Sequence, residues 1–425
     1  MKRIKAAAGP DRETQCRADA SGIQLMSRLT AALPILVLAI WLARSTIATY
    51  GGWYYHRALD RRASLSAEAR ICVIIPVRAV SVHLPSLCEA LSAQHYPRWR
   101  VVFAVESAED PAYAALAELL AATNSLAAEI VVAGPATDTG QKVHNQLAAL
   151  SRLGADDEVV VFADADIVPP ADWLTRLAYP LRNPDNAVVA GYRWLMPEDD
   201  RLATAFVCLA NASIAALPRL RRWNLAWGGS MALRRSTFDA LDMRCWWRGS
   251  LNDDLQLTRA VRSRGGSVFG PTALLLPSPA SFTWREAIAF GRRQYFQIRV
   301  YAPQHWLLAA AATTWPILGW AVAVPAALGG DRLAIGALFL ACGLHQWRAG
   351  LRVRIARSVG GERRGAARLL LFDRWAAPAW LLFHAAIIWS TLFLRTINWG
   401  GRTYRVDGPQ RLRIIAEPAA RPPAP

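Results

Sequence analysis

Lysine is nearly missing from this sequence. Of 49 Lys plus Arg residues in 425, only Lys2, Lys5 and Lys142 are lysine. The first two sit in the N-terminus, so Lys142 stands alone in the body of the chain. Paired cysteine spacing is missing as well. Cys16, Cys72, Cys88, Cys208, Cys245 and Cys342 never fall at CxxC spacing, and most lie in apolar runs. That argues against a zinc site or a disulfide framework and predicts reduced, buried thiols. No RNA- or DNA-binding signature is present. The net charge of +17 gathers beside apolar stretches, as in RAGLRVRIARSVGGERRGAAR at 348–368. Basic loops beside a membrane account for that pattern, and no nucleic-acid partner is expected.

Apolar residues are plentiful. They make up 53% of the chain, and eighteen Trp suit a bilayer interface better than a watery surface. The chain is also too long for one ordinary domain. LTAALPILVLAIWLA at 29–43, extended by STIATY, follows Arg17 and Arg28 and shows no A-x-A cleavage site soon after. It predicts a membrane helix over 29–50, with Trp53, Tyr54 and Tyr55 at the interface. Near the other end, 305–330 and 375–394 are long enough to span, and 333–347 is marginal. The Arg-rich 348–368 segment reads as an interfacial helix or cytoplasmic loop, and 204–218 as a stretch lying on the membrane.

The expected organisation is an N-terminal tail at 1–28, a transmembrane helix at 29–50, and a globular domain at 51–304. Membrane and interfacial helices follow at 305–394, then a tail at 395–425. The positive-inside rule puts the globular domain in the cytoplasm, in a multi-pass protein of the cell's inner membrane. Arg395, Arg402, Arg405, Arg411 and Arg413 argue against a tail on the far side.

Between the apolar ends, ICVIIPV, RVVFAV, EIVVA and EVVVFA alternate with stretches of helical periodicity. All-apolar strands alternating with helices predict an α/β fold with a buried, mostly parallel sheet. Ligands in such sheets bind at the carboxyl ends of the strands. There the strand VVVFA is followed by Asp164-Ala165-Asp166, and Pro169-Pro170 stops the extended run. Two carboxylates one residue apart suit a hard divalent cation that keeps phosphate oxygens as further ligands. The plainer alternative is a solvated turn with capping aspartates. Asp253-Asp254 precede a second amphipathic stretch, where they can cap a helix, and one can also serve as a general base.

Taken in order, these segments resemble family 2-like glycosyltransferases of GT-A fold. More narrowly they resemble the ceramide glucosyltransferase branch, family 21, with its hopanoid-associated bacterial relatives. ICVIIPVRA is similar to the opening strand and VVFAVESAEDPA to the second strand and acidic turn. GQKVHNQ is similar to the glycine–lysine–asparagine segment and FADADIVPP to the DxD. WGGSMALRRSTF, NDDLQLT and RTINWGGRTYRV are similar to the glycine-rich stretch, the acidic pair and the tail motif. The resemblance implies an inverting, metal-dependent hexosyltransferase. It would move sugar from a nucleotide-sugar donor, UDP-linked, to a membrane lipid hydroxyl at the bilayer. Asp254 is implied as base beside Asp253, and Asp166 and Asp164 as ligands of Mg2+ or Mn2+. Glu106, Lys142, Asn145, Asp164, Arg292 and Arg293 are implied at the donor. Gly228, Gly229, Gln294, Tyr295 and Arg299 are implied on the acceptor side.

One departure stands out. Where the family shows (Q/R)xxRW, this chain has FGRRQYFQIRVY at 290–301, with no Arg-Trp pair. An Arg-rich interfacial helix is the plainer reading of that stretch. A processive polysaccharide synthase of the same superfamily and an inactive membrane scaffold are the competing functions.

Overall fold

The apolar runs become one half of a single sheet. The computed structural model describes residues 12–59, 68–79, 83–123, 126–217, 219–360 and 364–416. Strands β1 (Ile71–Pro76), β2 (Trp99–Val105), β3 (Ala128–Val132) and β4 (Val159–Ala163) pair in parallel. Ile71, Val73 and Ile75 face one apolar cluster, and Cys72 and Ile74 face another on the opposite side. Burial on both faces is why these strands carry no alternation.

Five more strands follow: β5 (Asn186–Ala190), β6 (Tyr192–Pro197), β7 (Ser230–Arg234), β8 (Ser267–Phe269) and β9 (Leu275–Ala280). The main sheet has the order β3-β2-β1-β4-β7-β5-β8, and β6 pairs with β9 apart from it. Only β7 runs against its neighbours β4 and β5. This is the α/β fold with a mostly parallel sheet that the sequence predicts. The reversed strand has a consequence for the site. Ser230, at the start of β7, lies opposite Ala163, at the end of β4. The loop entering β7 therefore meets the loop leaving β4.

The N-terminal helix runs unbroken from Arg12 to Leu59, through position 50. Among the described residues two helices are long and apolar enough to cross a membrane, Ala32–Leu59 and Pro303–Leu328. Leu33, Ile35, Ile47, Leu307, Leu308 and Leu318 stand exposed on their outer faces. The runs at 333–347 and 375–394 fall in the helices Arg332–Gly360 and Arg364–Trp389, which do not meet that measure among the described residues. The first continues into the Arg-rich stretch as far as Gly360 and buries Leu351, Arg352 and Ile355. The Leu202–Ala215 helix does not lie open on a surface. Ala203, Val207 and Cys208 pack against Leu195, Ala280 and Phe383.

Residues 396–416 do more than trail. They form an antiparallel sheet of β10 (Thr396–Trp399), β11 (Arg402–Gly408) and β12 (Arg411–Ala416). Of the cysteines, Cys72, Cys88 and Cys208 are buried and free, as expected, but Cys245 and Cys342 are exposed. Their positions on outer helix faces, away from the packed clusters, explain the difference. Cys16 lies outside the residues whose side chains are described.

Candidate active site

Lys142 sits among carboxylates. Its Nζ lies 2.7 Å from Asp164 Oδ1 and 3.1 Å from Asp253 Oδ2. Three segments make this meeting. Asp164 leaves the end of β4, Lys142 opens the Gln141–Ala149 helix, and Asp253 precedes the Asp254–Ser263 helix. Gly140, just before Lys142, is needed for close packing. Its N–H donates to the Ser250 carbonyl at 2.9 Å, and a Cβ there would fall 2.6 Å from the Leu251 carbonyl oxygen. The acidic loop thus rests directly on the start of this helix. Gly228 is constrained in the same way, because a Cβ would lie 2.7 Å from Asp253 Oδ2 and 2.8 Å from Lys142 Nζ.

The two neighbouring aspartates are not equivalent. Asp253 is 1% exposed and also accepts from Gln146 Nε2 at 2.9 Å. Asp254 is half-buried and accepts from the Gly228 N–H at 2.7 Å and the Leu255 N–H at 2.6 Å. The Trp284–Tyr301 helix braces their loop from behind. Gln297 accepts from Asn252 at 2.7 Å, and the Tyr301 hydroxyl accepts from the Leu251 N–H at 2.9 Å.

Electrostatics follow from this crowding. Burial pushes the Asp254 carboxyl up, the Asp253 charge adds to it, and Lys142 and the Gly228 N–H pull it back, leaving it at about 6. For Lys142, burial disfavours the charge, but Asp164, Asp253 and Asp254 outweigh it and its pKa is raised. The Asp166 carboxyl reaches solvent, yet crowding by the surrounding protein and then by Asp164 raises its pKa. Arg193 and Lys142 oppose that rise.

The other sequence-predicted donor residues lie around the same edge. Glu106 follows β2 and pairs with Arg402 Nη2 at 2.6 Å. Asn145 donates to the Ala104 carbonyl at 3.2 Å and accepts from Gln141 Nε2 at 2.7 Å. Arg293 lies over the Trp399 ring, 5.6 Å from its centroid, and over Phe290. Burial, then Arg193, lowers the Arg293 pKa, and Asp164 and Asp166 oppose this, so the guanidinium lies near the DxD. Arg292 has a buried Nε without a hydrogen-bond partner.

A cavity of about 160 Å3 opens between these elements. Lys142, Asn145 and Asp164 line one side; Trp399, Gly400 and Tyr404 line the other. The C-terminal sheet thus covers the strand ends. Arg402 also donates to Gln141 Oε1, which in turn accepts from the Ala136 N–H at 2.8 Å.

The acceptor-side residues divide. Gly228 and Gly229 are buried in the loop entering β7, where a Cβ on Gly229 would strike the Trp227 ring. Tyr295 is buried and bonds His384, while Arg299 donates to the Leu394 carbonyl. These two side chains engage the Arg364–Trp389 helix and the segment after it. Gln294 is half-buried on the same helix.

Sequence reasoning missed Gln146, Arg193, Trp399, Arg402 and Tyr404. Gln146 closes GQKVHNQ and the last three fall in RTINWGGRTYRV, so both segments were marked without roles for these residues. Arg193 carried no signal.

For a divalent cation, no group of three or more His, Cys, Asp or Glu side chains gathers among the described residues. Asp164 and Asp166 still fit one. They are hard oxygen donors, and after burial the Asp164 charge is what raises the Asp166 pKa, so the two carboxylates are close enough to act together. Two carboxylates completed by phosphate oxygens are an accepted set for Mg2+.

A mostly parallel α/β sheet with carboxylates gathered at its carboxyl edge is the framework of a ligand-binding enzyme cleft. The chain belongs to glycosyl transferase family 21, whose family model matches residues 33–412. It is accordingly a glycosyltransferase. No curated protein matches it by sequence. Among solved structures it is similar to the mannosyltransferase PcManGT from Pyrobaculum calidifontis, in complex with GDP-Man and Mn2+. That likeness has 18% identity and a TM-score of 0.43, covering 84% of this chain and 99% of that one. It is also similar to S. aureus TarS residues 1–349 in complex with UDP-GlcNAc. There the identity is 11% and the TM-score 0.38, covering 82% and 99%. Both likenesses are remote.

Proposed function

We propose that this protein transfers a sugar from a nucleotide-sugar donor, UDP-linked, to a lipid hydroxyl at the cytoplasmic face of the inner membrane. The observation that carries this reading is the cluster of Lys142, Asp164, Asp253 and Asp254 at the sheet's carboxyl edge, beside the 160 Å3 cavity. The diphosphate is assigned to the cationic edge formed by Lys142, Arg193 and Arg293. Trp399, stacked on Arg293, takes the place of the tryptophan missing from the 290–301 helix. Glu106, held by Arg402, faces the nucleoside.

Asp254 accepts the proton of the acceptor hydroxyl as that oxygen attacks the anomeric carbon. The bond from that carbon to the diphosphate oxygen breaks, and a single displacement inverts the configuration. Asp253 does not touch the reacting atoms in this scheme; it holds Lys142 and shapes the loop. Asp164 and Asp166 would hold Mg2+ or Mn2+ with the donor phosphates, supplying charge neutralisation of the leaving diphosphate. The two candidate spans fix the domain at the bilayer, where a lipid hydroxyl can reach Asp254. Membership of family 21 supports a lipid acceptor of the ceramide-like class.

Lipid mass spectrometry of cells with and without expression tests the reading. A new hexosyl lipid is expected, absent when Asp254→Asn is expressed. Nucleotide release with no lipid product would overturn the acceptor assignment. The cover supplied by the tail gives a further expectation. Arg402→Ala removes a charged partner of Glu106, worth about 1.5–3 kcal/mol for such bonds, and should raise the donor KM by roughly tenfold or more. Steady-state donor titration reads it. An unchanged KM would separate the C-terminal sheet from the donor.

A further inference from the structure

A second cavity, of about 140 Å3, shares no lining residue with the first. Arg44, His345, Arg348, Arg352 and His384 line it, and no carboxylate does among the described residues. Arg352 is already neutralised, with Nε 2.7 Å from the buried Asp373 Oδ2. That carboxylate also accepts from Trp380 Nε1 at 3.1 Å. Arg348 has only a neutral acceptor, the Ser45 carbonyl at 2.9 Å. Arg44 makes no hydrogen bond or ion pair among the described residues. Arg44 and Arg352 both repel the Arg348 charge, and Asp373 opposes them. His384 is 5% exposed; its Nε2 meets the Tyr295 hydroxyl, and its Nδ1 has no partner.

One buried carboxylate, Asp373, faces this group of arginines from Arg352, so an excess of positive charge and an orphaned ring nitrogen remain, and they are costly without an anion. A phosphate offers several acceptor oxygens to guanidinium groups at once. The walls say where that phosphate comes from. Arg44, Ala48 and Gly52 belong to one candidate span and Ala312 and Thr313 to the other. Ile47 and Leu307, on the outer faces of these helices, are 65% and 61% exposed. Acyl chains can lie along such faces while the headgroup enters between the helices.

We propose that this cavity binds the phosphate of an anionic membrane lipid. Tyr295, implied on the acceptor side, lines this cavity, and the inference rests on the bilayer placement of the proposed function; lipid retention is read without any sugar transfer. The full chain, purified in neutral detergent, is offered phosphatidylglycerol, phosphatidylcholine or inorganic phosphate, and retained lipid is read by native mass spectrometry. Wild type should retain phosphatidylglycerol in preference to phosphatidylcholine. Arg44→Gln with Arg348→Gln should lose that retention by about tenfold or more, the loss of charged hydrogen bonds. Arg221→Gln with Arg222→Gln, at exposed positions, controls for the basic surface and should keep it. Equal retention of both lipids by wild type, which needs no variant to fold, would overturn the proposal. So would unchanged retention by the Arg44 and Arg348 pair variant. Thermal stabilisation by inorganic phosphate, with no lipid retained, would overturn the lipid source.

Discussion

Asp254→Asn should abolish transfer while leaving donor binding close to wild type. A positioned general base contributes about 10²–10⁴-fold, and the amide cannot accept the proton. The substitution keeps the size of the side chain but only one of its two loop bonds, because the Gly228 N–H reaches Oδ2 and the Leu255 N–H reaches Oδ1, and an amide has one accepting oxygen. Donor affinity, by calorimetry with the nucleotide-sugar, should change little, because the cationic edge is untouched. The pH profile adds a signature. With the carboxyl at about 6, kcat/KM of the wild type should fall as pH drops through that value, approaching tenfold per unit below it. The sign follows from the role: a base works deprotonated, so added protons remove it. Residual transfer by the variant should lack this acid limb. Transfer within tenfold of wild type would remove Asp254 from the chemistry.

The second large effect is on stability. Lys142→Met leaves Asp164, Asp253 and Asp254 facing one another without their cation. Breaking a buried ion pair by removing one partner costs about 3–5 kcal/mol, and the Asp253 carboxylate is almost fully enclosed. The melting temperature should drop at neutral pH and recover part of the loss as pH falls. The sign is fixed by Asp254, whose raised folded pKa Lys142 holds back and whose pKa rises further without the lysine. Protons then bind the folded form more tightly than the unfolded one, so acid favours folding. Lys142→Arg should fall between the two, since the planar fork does not fit the space a point charge fills beside Gly228. An unchanged melting temperature for Lys142→Met would show that the cluster is held by something else.

The half-sheet β1 to β4 was legible because β1, β2 and β4 are buried on both faces and so are apolar almost without interruption, while the edge strand β3 is only half-buried. The helices between them showed their period. The reversed β7 was not legible, since alternation within MALRR says nothing about strand direction. Nor was β8, whose three residues are too short for any pattern. The individual acids were legible from their places after strands and before helices. The meeting of Lys142 with Asp164 and Asp253 was not, because it depends on how closely the 250–252 loop packs on Gly140. The absent Arg-Trp pair read as a defect of the 290–301 helix. In space, Trp399 stacks on Arg293 from a different sheet. Local spacing cannot reveal a partner that arrives through tertiary folding.

The pairing of Gln141 with Arg402 spans 261 residues. A ribosome adding roughly 5–20 residues per second needs tens of seconds to cover that distance. Late in that interval, once Asp254 has been added, the growing chain carries the strand ends, the acids and the lysine, but not Trp399, Arg402 or Tyr404. Both candidate spans emerge before the cover does. In the proposed function the anchors thus precede the cover, and the donor site is completed last, beside the bilayer that supplies the acceptor.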